Sequence, residues 1–461
     1  MTRSILYVLT PGGPPLDVAL PRICRHGDVH ALLCGPRSER DVRLLRDDCR
    51  SVRSTSPDDP MPDAIVLAAR EVAADAVVTM NEWAVTAVAD ACAVLGLRSS
   101  GPRTRASRNK VEMRRTWRDA GVPVPAFFPV QSLEDLQRAA RQLPTPFLLK
   151  PAWAASSVGQ AIVSAGTDLE ATWSAVRDVL ARTDRAGVRD LLPDGRGPRC
   201  IAEEIIDSTT ESWYDTEGFG DYLSVEGIVA GGRYHPVCVT SRLPTVPPFV
   251  EVTNQTPTVL SVEKQRRIEA MARAAVDALG LDCCGTHTEI KLQSGGRLCL
   301  LENAARLGGV MIAREVEEVF GVDLIDQLVR VLLGDEHQLP ERMLTSESAN
   351  GAAANLSLLA VDSRGTPWKS LPAFRPDLVD WTTLTSPGTT VEIVPGLSQP
   401  IGAPMPRYTT TGGHMNYAGT LYLRSPDALT LRADSVRILD GMEAALCAVE
   451  RDRSATRGGG G

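Results

Sequence analysis

Two glutamates set the chemical problem of this chain. Glu289 and Glu302 lie on either side of Gly295-Gly296 in the run from Thr286 to Gly309. If the diglycine is a two-residue hairpin turn, the register sets Ser294 against Arg297, Leu292 against Cys299 and Glu289 against Glu302. Like charges directly opposite on a strand pair repel, so a compensating cation is expected between them. Carboxylate oxygens suit Mg²⁺, with Mn²⁺ able to stand in, and Mg²⁺ typically takes one or two carboxylates together with waters and substrate phosphates. The plainer alternative is a pair of solvated glutamates. The run Asn303-Ala-Ala-Arg-Leu-Gly-Gly309 that follows is unlike a surface strand, so the expectation is the metal floor of a nucleotide site.

The lysines point the same way. Of 49 basic residues only five are lysine: Lys110, Lys150, Lys264, Lys291 and Lys369. Lysine is a compact point charge suited to phosphate oxygens, and arginine is a planar fork. Lys110 stands in the first turn of a helix expected from Ser107, its N-cap, to Gly121. A cation there opposes the helix dipole and so answers an anion outside the helix. Lys150 ends the apolar strand Phe147-Leu-Leu-Lys-Pro151. The small residues that follow, with Ser156, Ser157 and Gly159, make a flap whose backbone amides and hydroxyls can wrap a triphosphate. In Cys200-Ile-Ala-Glu-Glu-Ile-Ile-Asp207, the acids Glu203 and Glu204 and the backbone beyond them, Ile206 included, can meet a purine and its ribose. Glu251 is a lone acid before a helix at Val262–Leu279 and a candidate partner for a substrate amine. Gly308, Gly309 and Val310 suggest open space beside Arg306. Gly12-Gly13-Pro14-Pro15 lacks the spacing of either phosphate-loop pattern and reads as a plain turn.

These residues need a scaffold, and the chain is long enough for one. At 461 residues and 43% hydrophobic content it can build two to four domains. A net charge of −8 argues against nucleic acid or an anionic membrane as partner, and no apolar run is long enough to span a bilayer. The N-terminus reads as a first buried strand rather than a signal peptide. Ten cysteines without a C-x-x-C pair suit reduced thiols in a cytoplasmic protein. Residues 1–105 alternate strands (Ile5–Leu9, Val29–Leu33, Asp75–Thr79) with helices (Trp83–Leu95), an open α/β sheet. Residues 106–200 hold a helix and a small lid, with 182–199 a surface insertion. Residues 201–338 hold the core with the two glutamates and a hairpin across Gly231-Gly232. Residues 339–450 form an appended α+β domain with a last helix near Ser435–Val449, and 451–461 are expected to be disordered. The glycine-rich segment Thr409–Tyr417 reads as a structural loop.

The order of these pieces resembles the ATP-grasp superfamily over roughly residues 75–335, and within it the L-amino-acid ligases (dipeptide synthetases). The resemblance implies an ATP-grasp fold behind a Rossmann-like N-terminal domain and an activity joining a carboxylate to an amine through an acyl phosphate, with release of ADP and phosphate. It implies that Lys110 and Lys150 contact ATP phosphates, that Glu204 holds the adenosine, and that Glu289 and Glu302 ligate Mg²⁺. It further implies that Arg306 binds the substrate carboxylate and then its acyl phosphate, that Glu251 lies near the amine as a candidate base, and that Glu82, in Thr79-Met-Asn-Glu82, lines the substrate side. Two positions depart from the pattern. Ala304 stands where many relatives have a metal-site Asn, leaving Asn303 as a candidate ligand although it would face the other way. Asn254 stands where related ligases can carry a His. Small-molecule substrates, amino acids or related compounds, and a homodimer are the implied partners. Rival readings are a ligase using another carboxylate or a hydroxyl acceptor, and an ATP-binding regulatory protein without chemistry.

Overall fold

The computed structural model describes residues 2–56, 59–153, 159–185, 199–247, 249–410 and 413–458. Four sheets of four strands organise them. The first is parallel, in the order β3-β2-β1-β4, from β1 (Ser4–Leu9), β2 (Asp28–Leu33), β3 (Ser51–Ser54) and β4 (Ala76–Val78). Ile5, Tyr7 and Leu9 enter one apolar cluster, and Leu6 and Val8 another. Helices therefore cover both faces, as a continuous apolar strand requires. The Gly12-Gly13 turn packs on Asn81, whose amide donates to the Gly12 carbonyl. Gly13 has φ 82°, and a Cβ there would lie 2.6 Å from the Asn81 amide nitrogen.

The second sheet, β5-β8-β6-β7, is antiparallel and comprises β5 (Phe127–Val130), β6 (Phe147–Pro151), β7 (Ala161–Val163) and β8 (Cys200–Glu204). Phe147, Leu149, Cys200 and Ala202 pack against helix residues Leu136, Ala139, Trp173 and Val176. Alternation then sends Lys150, Ile201 and Glu203 to the other face, toward the helix Lys110–Asp119. That helix is capped by Asn109, which accepts from the amides of Val111 and Glu112. Ser107, the expected cap, lies instead in a preceding 3₁₀ turn. The flap residues Ser156 and Ser157, and most of the expected insertion, lie outside the described residues.

The third sheet, β10-β9-β12-β13, contains β9 (Tyr222–Ala230), β10 (Arg233–Thr240), β12 (Cys284–Leu292) and β13 (Leu298–Ala304). One face packs on the helix Val262–Leu279, which Ser261 caps and Gly280 ends at φ 64°. The fourth sheet, β11-β14-β16-β15, joins β11 (Thr253–Thr256) to β14 (Ala352–Leu358), β15 (Thr390–Ile393) and β16 (Gly419–Ser425). A segment from the middle of the chain thus completes the C-terminal sheet, and a boundary near residue 338 does not separate the two. The last helix, Ala428–Gly458, starts earlier and runs later than expected. No Gly or Pro interrupts it between Met442 and Gly458, so the backbone of 451–458 continues the helix. Among the described residues no helix is long and apolar enough to cross a membrane.

The β12–β13 hairpin differs instructively from the simple expectation. Gln293 pairs with Arg297 around a three-residue loop, Ser294–Gly296, with Gly295 and Gly296 at φ 64° and 70°. Leu292 therefore faces Leu298, and Cys299 faces Lys291. Continued unbroken, that register would turn Glu302 toward the helix. A bulge intervenes between the pairs Ile290–Leu300 and Glu289–Glu302. It leaves Ile290, Leu292, Leu298 and Leu300 in the core and puts both glutamates on the opposite face.

Candidate active site

The face of the third sheet away from its helix carries a polar stripe. Register places Glu226 beside His287, Ser224 beside Glu289, and Glu289 beside Glu302. Each acid meets a cation of the chain itself. The Lys110 ammonium lies 2.9 Å from Glu302 Oε1, and the Lys110 backbone N–H donates to the Ala152 carbonyl at the base of the flap. His287 Nε2 lies 3.4 Å from Glu289 Oε1, and the Arg242 guanidinium 3.9 Å from the same oxygen. Burial would raise the Glu289 carboxyl, but the His287 hydrogen bond and charge, with Arg242 and Arg306, hold it at about 2. Burial opposes the charge on His287, and Glu226 at 2.9 Å from Nδ1, helped by Glu289, outweighs it and lifts the imidazole to about 9. The repulsion expected between the facing glutamates is thus already met by protein cations.

Lys110 connects this stripe to two further ion clusters. It acts electrostatically on Lys150, Glu203 and Glu82. Lys150 pairs with the buried Glu203, which Arg114 holds at 3.1 Å, and Arg114 also donates to the Leu301 carbonyl of the bulge at 2.7 Å. Glu203 is therefore a strut and not a free nucleotide ligand. Its neighbour Glu204 emerges on a cavity of about 410 Å³ lined by Pro144, Pro146 and residues 204–208. Glu204 and Ile206, expected at the base and ribose, share that hollow, and alternation along β8 has separated the two acids.

In the other cluster, both oxygens of Glu82 are taken, one by Arg108 and one by Arg306, each at 2.6 Å. Burial would raise this carboxyl, yet Arg306 and Arg108, with Lys110, bring it to about 2. Glu82 thus fixes the two arginines rather than offering a free oxygen to substrate. Arg306 Nη1 donates to the Leu307 carbonyl, and the side chain stays 18% exposed. The expected space at Gly308 does not exist. A Cβ there would sit 2.7 Å from Glu226 Oε2 and 2.9 Å from Ile312 Cδ1, so the glycine is required by packing. Gly309 has nothing within 4 Å of the same position. Val310 is held at φ 56°, a left-handed conformation costing about 1–3 kcal/mol for such a residue.

Glu251 is paired with Arg242 and 37% exposed, while Arg242 is buried against the Tyr222 ring at 4.8 Å. The carboxylate expected to act as base is thus engaged by a guanidinium of the chain itself. Asn254 is buried and donates to Asn355 across β11–β14, facing the C-terminal sheet instead of a substrate amine. Asn303 donates to Thr288 on the helix-facing side at 2.7 Å, so it does not join the two glutamates as a metal ligand. Gly159 is described only at the end of the flap.

Arg242, His287, Glu226 and Arg108 were not legible as site residues. The fully buried Glu315 was also missed. Burial holds its carboxyl well above the usual range, and it accepts from the Asn355 amide. Alternation could have found one of them, since His287 is two residues before Glu289 and shares its face. Nothing local marks Arg242 in a chain that uses arginine throughout.

With this geometry in place, the comparisons are specific about class. Residues 143–314 match the family model described as an ATP-grasp domain. Over those residues the chain carries an ATP-grasp domain, and the architecture around it is the ATP-grasp fold. An L-amino acid ligase structure from Bacillus licheniformis superposes with a TM-score of 0.72 at 19% identity, covering 95% of this chain and 97% of that one. Alanine–anticapsin ligase of Bacillus subtilis is 35% identical over 303 residues, 65% of this chain and 63% of that protein. Human carnosine synthase 1 is 27% identical over 262 residues, 54% of this chain and 30% of that protein. The matches to these curated relatives thus span less than two thirds of their length.

Proposed function

We propose that this chain is an ATP-dependent ligase that activates an amino-acid carboxylate and joins it to an amine, another amino acid being the favoured acceptor. The observation that carries the proposal is the Glu289–Glu302 pair on one sheet face, with Lys110 at its edge and Lys150 within electrostatic reach of Lys110. The names of the relatives, ligases that join amino acids, support it.

Two hard carboxylates side by side fit a magnesium ion that draws its remaining ligands from water and phosphate. Glu289 and Glu302 would hold it, and when bound it would neutralise charge on the nucleotide's phosphates. The chain's own residues do the rest. Lys110 and Lys150 offset phosphate charge, the hollow beside Glu204 and Ile206 takes the base end, and Arg306, steadied by Glu82, orients the carboxylate. A carboxylate oxygen attacks the γ-phosphorus and ADP leaves. The amine then attacks the acyl carbon of the acyl phosphate, inorganic phosphate leaves, and the amine's surplus proton passes to solvent or to a nearby carboxylate. Positioning and charge neutralisation supply most of the catalysis in such phosphoryl transfer.

The test is mass spectrometry of products from pooled amino acids with ATP and Mg²⁺. The expected result is condensed dipeptide masses with one ADP per product. ADP formation without a condensed product, or esters in place of amides, would overturn the reading.

A further inference from the structure

We infer that Lys110 is an exchangeable cation, bound to Glu302 until a triphosphate takes it, so that the divalent metal and the nucleotide bind cooperatively and the metal alone binds weakly. This rests on the reading of Glu289 and Glu302 as the metal pair. The ammonium sits 2.9 Å from Glu302 Oε1, and its side chain is only 6% exposed. A monovalent cation that close repels a divalent one at the same carboxylate strongly in such partly buried surroundings. The backbone of Lys110 is fixed by the Asn109 cap and by the hydrogen bond to Ala152, while its four-carbon stem, carrying three rotatable donors, allows the ammonium to reorient. Lys150 is placed differently. Its partner Glu203 is held by Arg114 and lies on another sheet, so metal binding leaves Lys150 undisturbed.

A polyphosphate arriving beside Lys110 gives the ammonium a second anion and releases Glu302 to the metal. By linkage, whatever the nucleotide adds to metal affinity the metal adds to nucleotide affinity. The sign is the informative part: removing a phosphate-binding lysine should improve metal binding when no nucleotide is present.

The experiment is equilibrium Mn²⁺ binding, followed by the electron paramagnetic resonance signal of free Mn²⁺, on the wild-type protein, Lys110→Met and Glu302→Gln. Each is measured alone and with the non-hydrolysable β,γ-imido analogue of ATP. The wild type should bind Mn²⁺ at least about tenfold more tightly with the analogue. Lys110→Met should bind Mn²⁺ alone about tenfold more tightly than the wild type does, with the enhancement by the analogue cut to about threefold or less. Lys110→Gln, which keeps a donor, serves as the second variant should the methionine form fail to fold. Equal or weaker Mn²⁺ binding by the lysine variants, with the wild type still responding to the analogue, overturns this inference alone. Absence of Mn²⁺ binding in the wild type even with the analogue, or binding unaffected by Glu302→Gln, overturns the metal assignment and the inference together.

Discussion

Glu302 touches Lys110, faces Glu289 and lies next to the bulge whose carbonyl Arg114 holds. Glu302→Gln keeps the shape and removes the charge, so substrate-dependent ADP formation should fall by about a hundredfold or more, measured with the amino-acid mixture that gives product in the wild type. Glu82 yields a pH prediction. Its carboxyl is depressed to about 2 in the folded chain from an ordinary value of 4.5, so its ion pairs stabilise the fold fully above pH 4.5, and that contribution is lost as the pH falls toward 2. Over this window it amounts to about 3 kcal/mol. The melting-temperature gap between the wild type and Glu82→Gln should therefore be widest above pH 5 and close in acid; a gap independent of pH would remove the assignment. The scarcity of lysine flagged Lys110 and Lys150, and both lie in the charge cluster. Lys291 is matched to Asp221 and Lys264 to the Trp213 carbonyl. Arginine, used 44 times as 49 basic residues less five lysines, carries no such signal, and Arg242 and Arg108 became visible only through their partners.

At the scale of elements, the hairpin shows what sequence patterning can decide. Glu289 and Glu302 were placed face to face from a two-residue turn, and they do meet, although through a three-residue loop and a bulge. The clue lay in parity. Leu298 and Leu300 share the phase of Glu302, and three such residues on a regular strand would share a face, so burying both leucines and freeing the acid demands one odd residue. Leu301 is that residue. Ends of helices and strands were legible where a cap or glycine marks them, as at Ser261 and Gly280. The pairing of β11 with β14 was not legible, because nothing in four residues says which distant strand they will meet. Gly308 misled for a related reason: a missing side chain signals either empty space or a close neighbour, and only coordinates distinguish them. Gly308→Ala should cost about 1–3 kcal/mol from overpacking and displace Glu226, seen as a lower melting temperature together with reduced turnover, whereas Gly309→Ala, with room around it, should keep most of the stability.

For the molecule as a whole, the C-terminal sheet is built around the segment that carries Glu251. It takes β11 into its own ladder, and Tyr417 donates to the Glu251 carbonyl at 2.8 Å while Tyr408 donates to that of Pro247. Tyr417→Phe removes one such bond, worth about 1 kcal/mol. It should raise KM for the amine while leaving binding of the ATP analogue unchanged; equal losses in both would mean general loosening. The neutralised polar stripe has a further consequence. Lys110, His287 and Arg242 already satisfy the two facing acids, so the fold borrows nothing from a metal. Dialysis against a chelator should leave the melting curve where it was, in contrast to domains whose structure collapses when their ion is stripped. On the proposed metal assignment, such a chain can be made, folded and kept in metal-poor surroundings and would take up its ion together with a nucleotide.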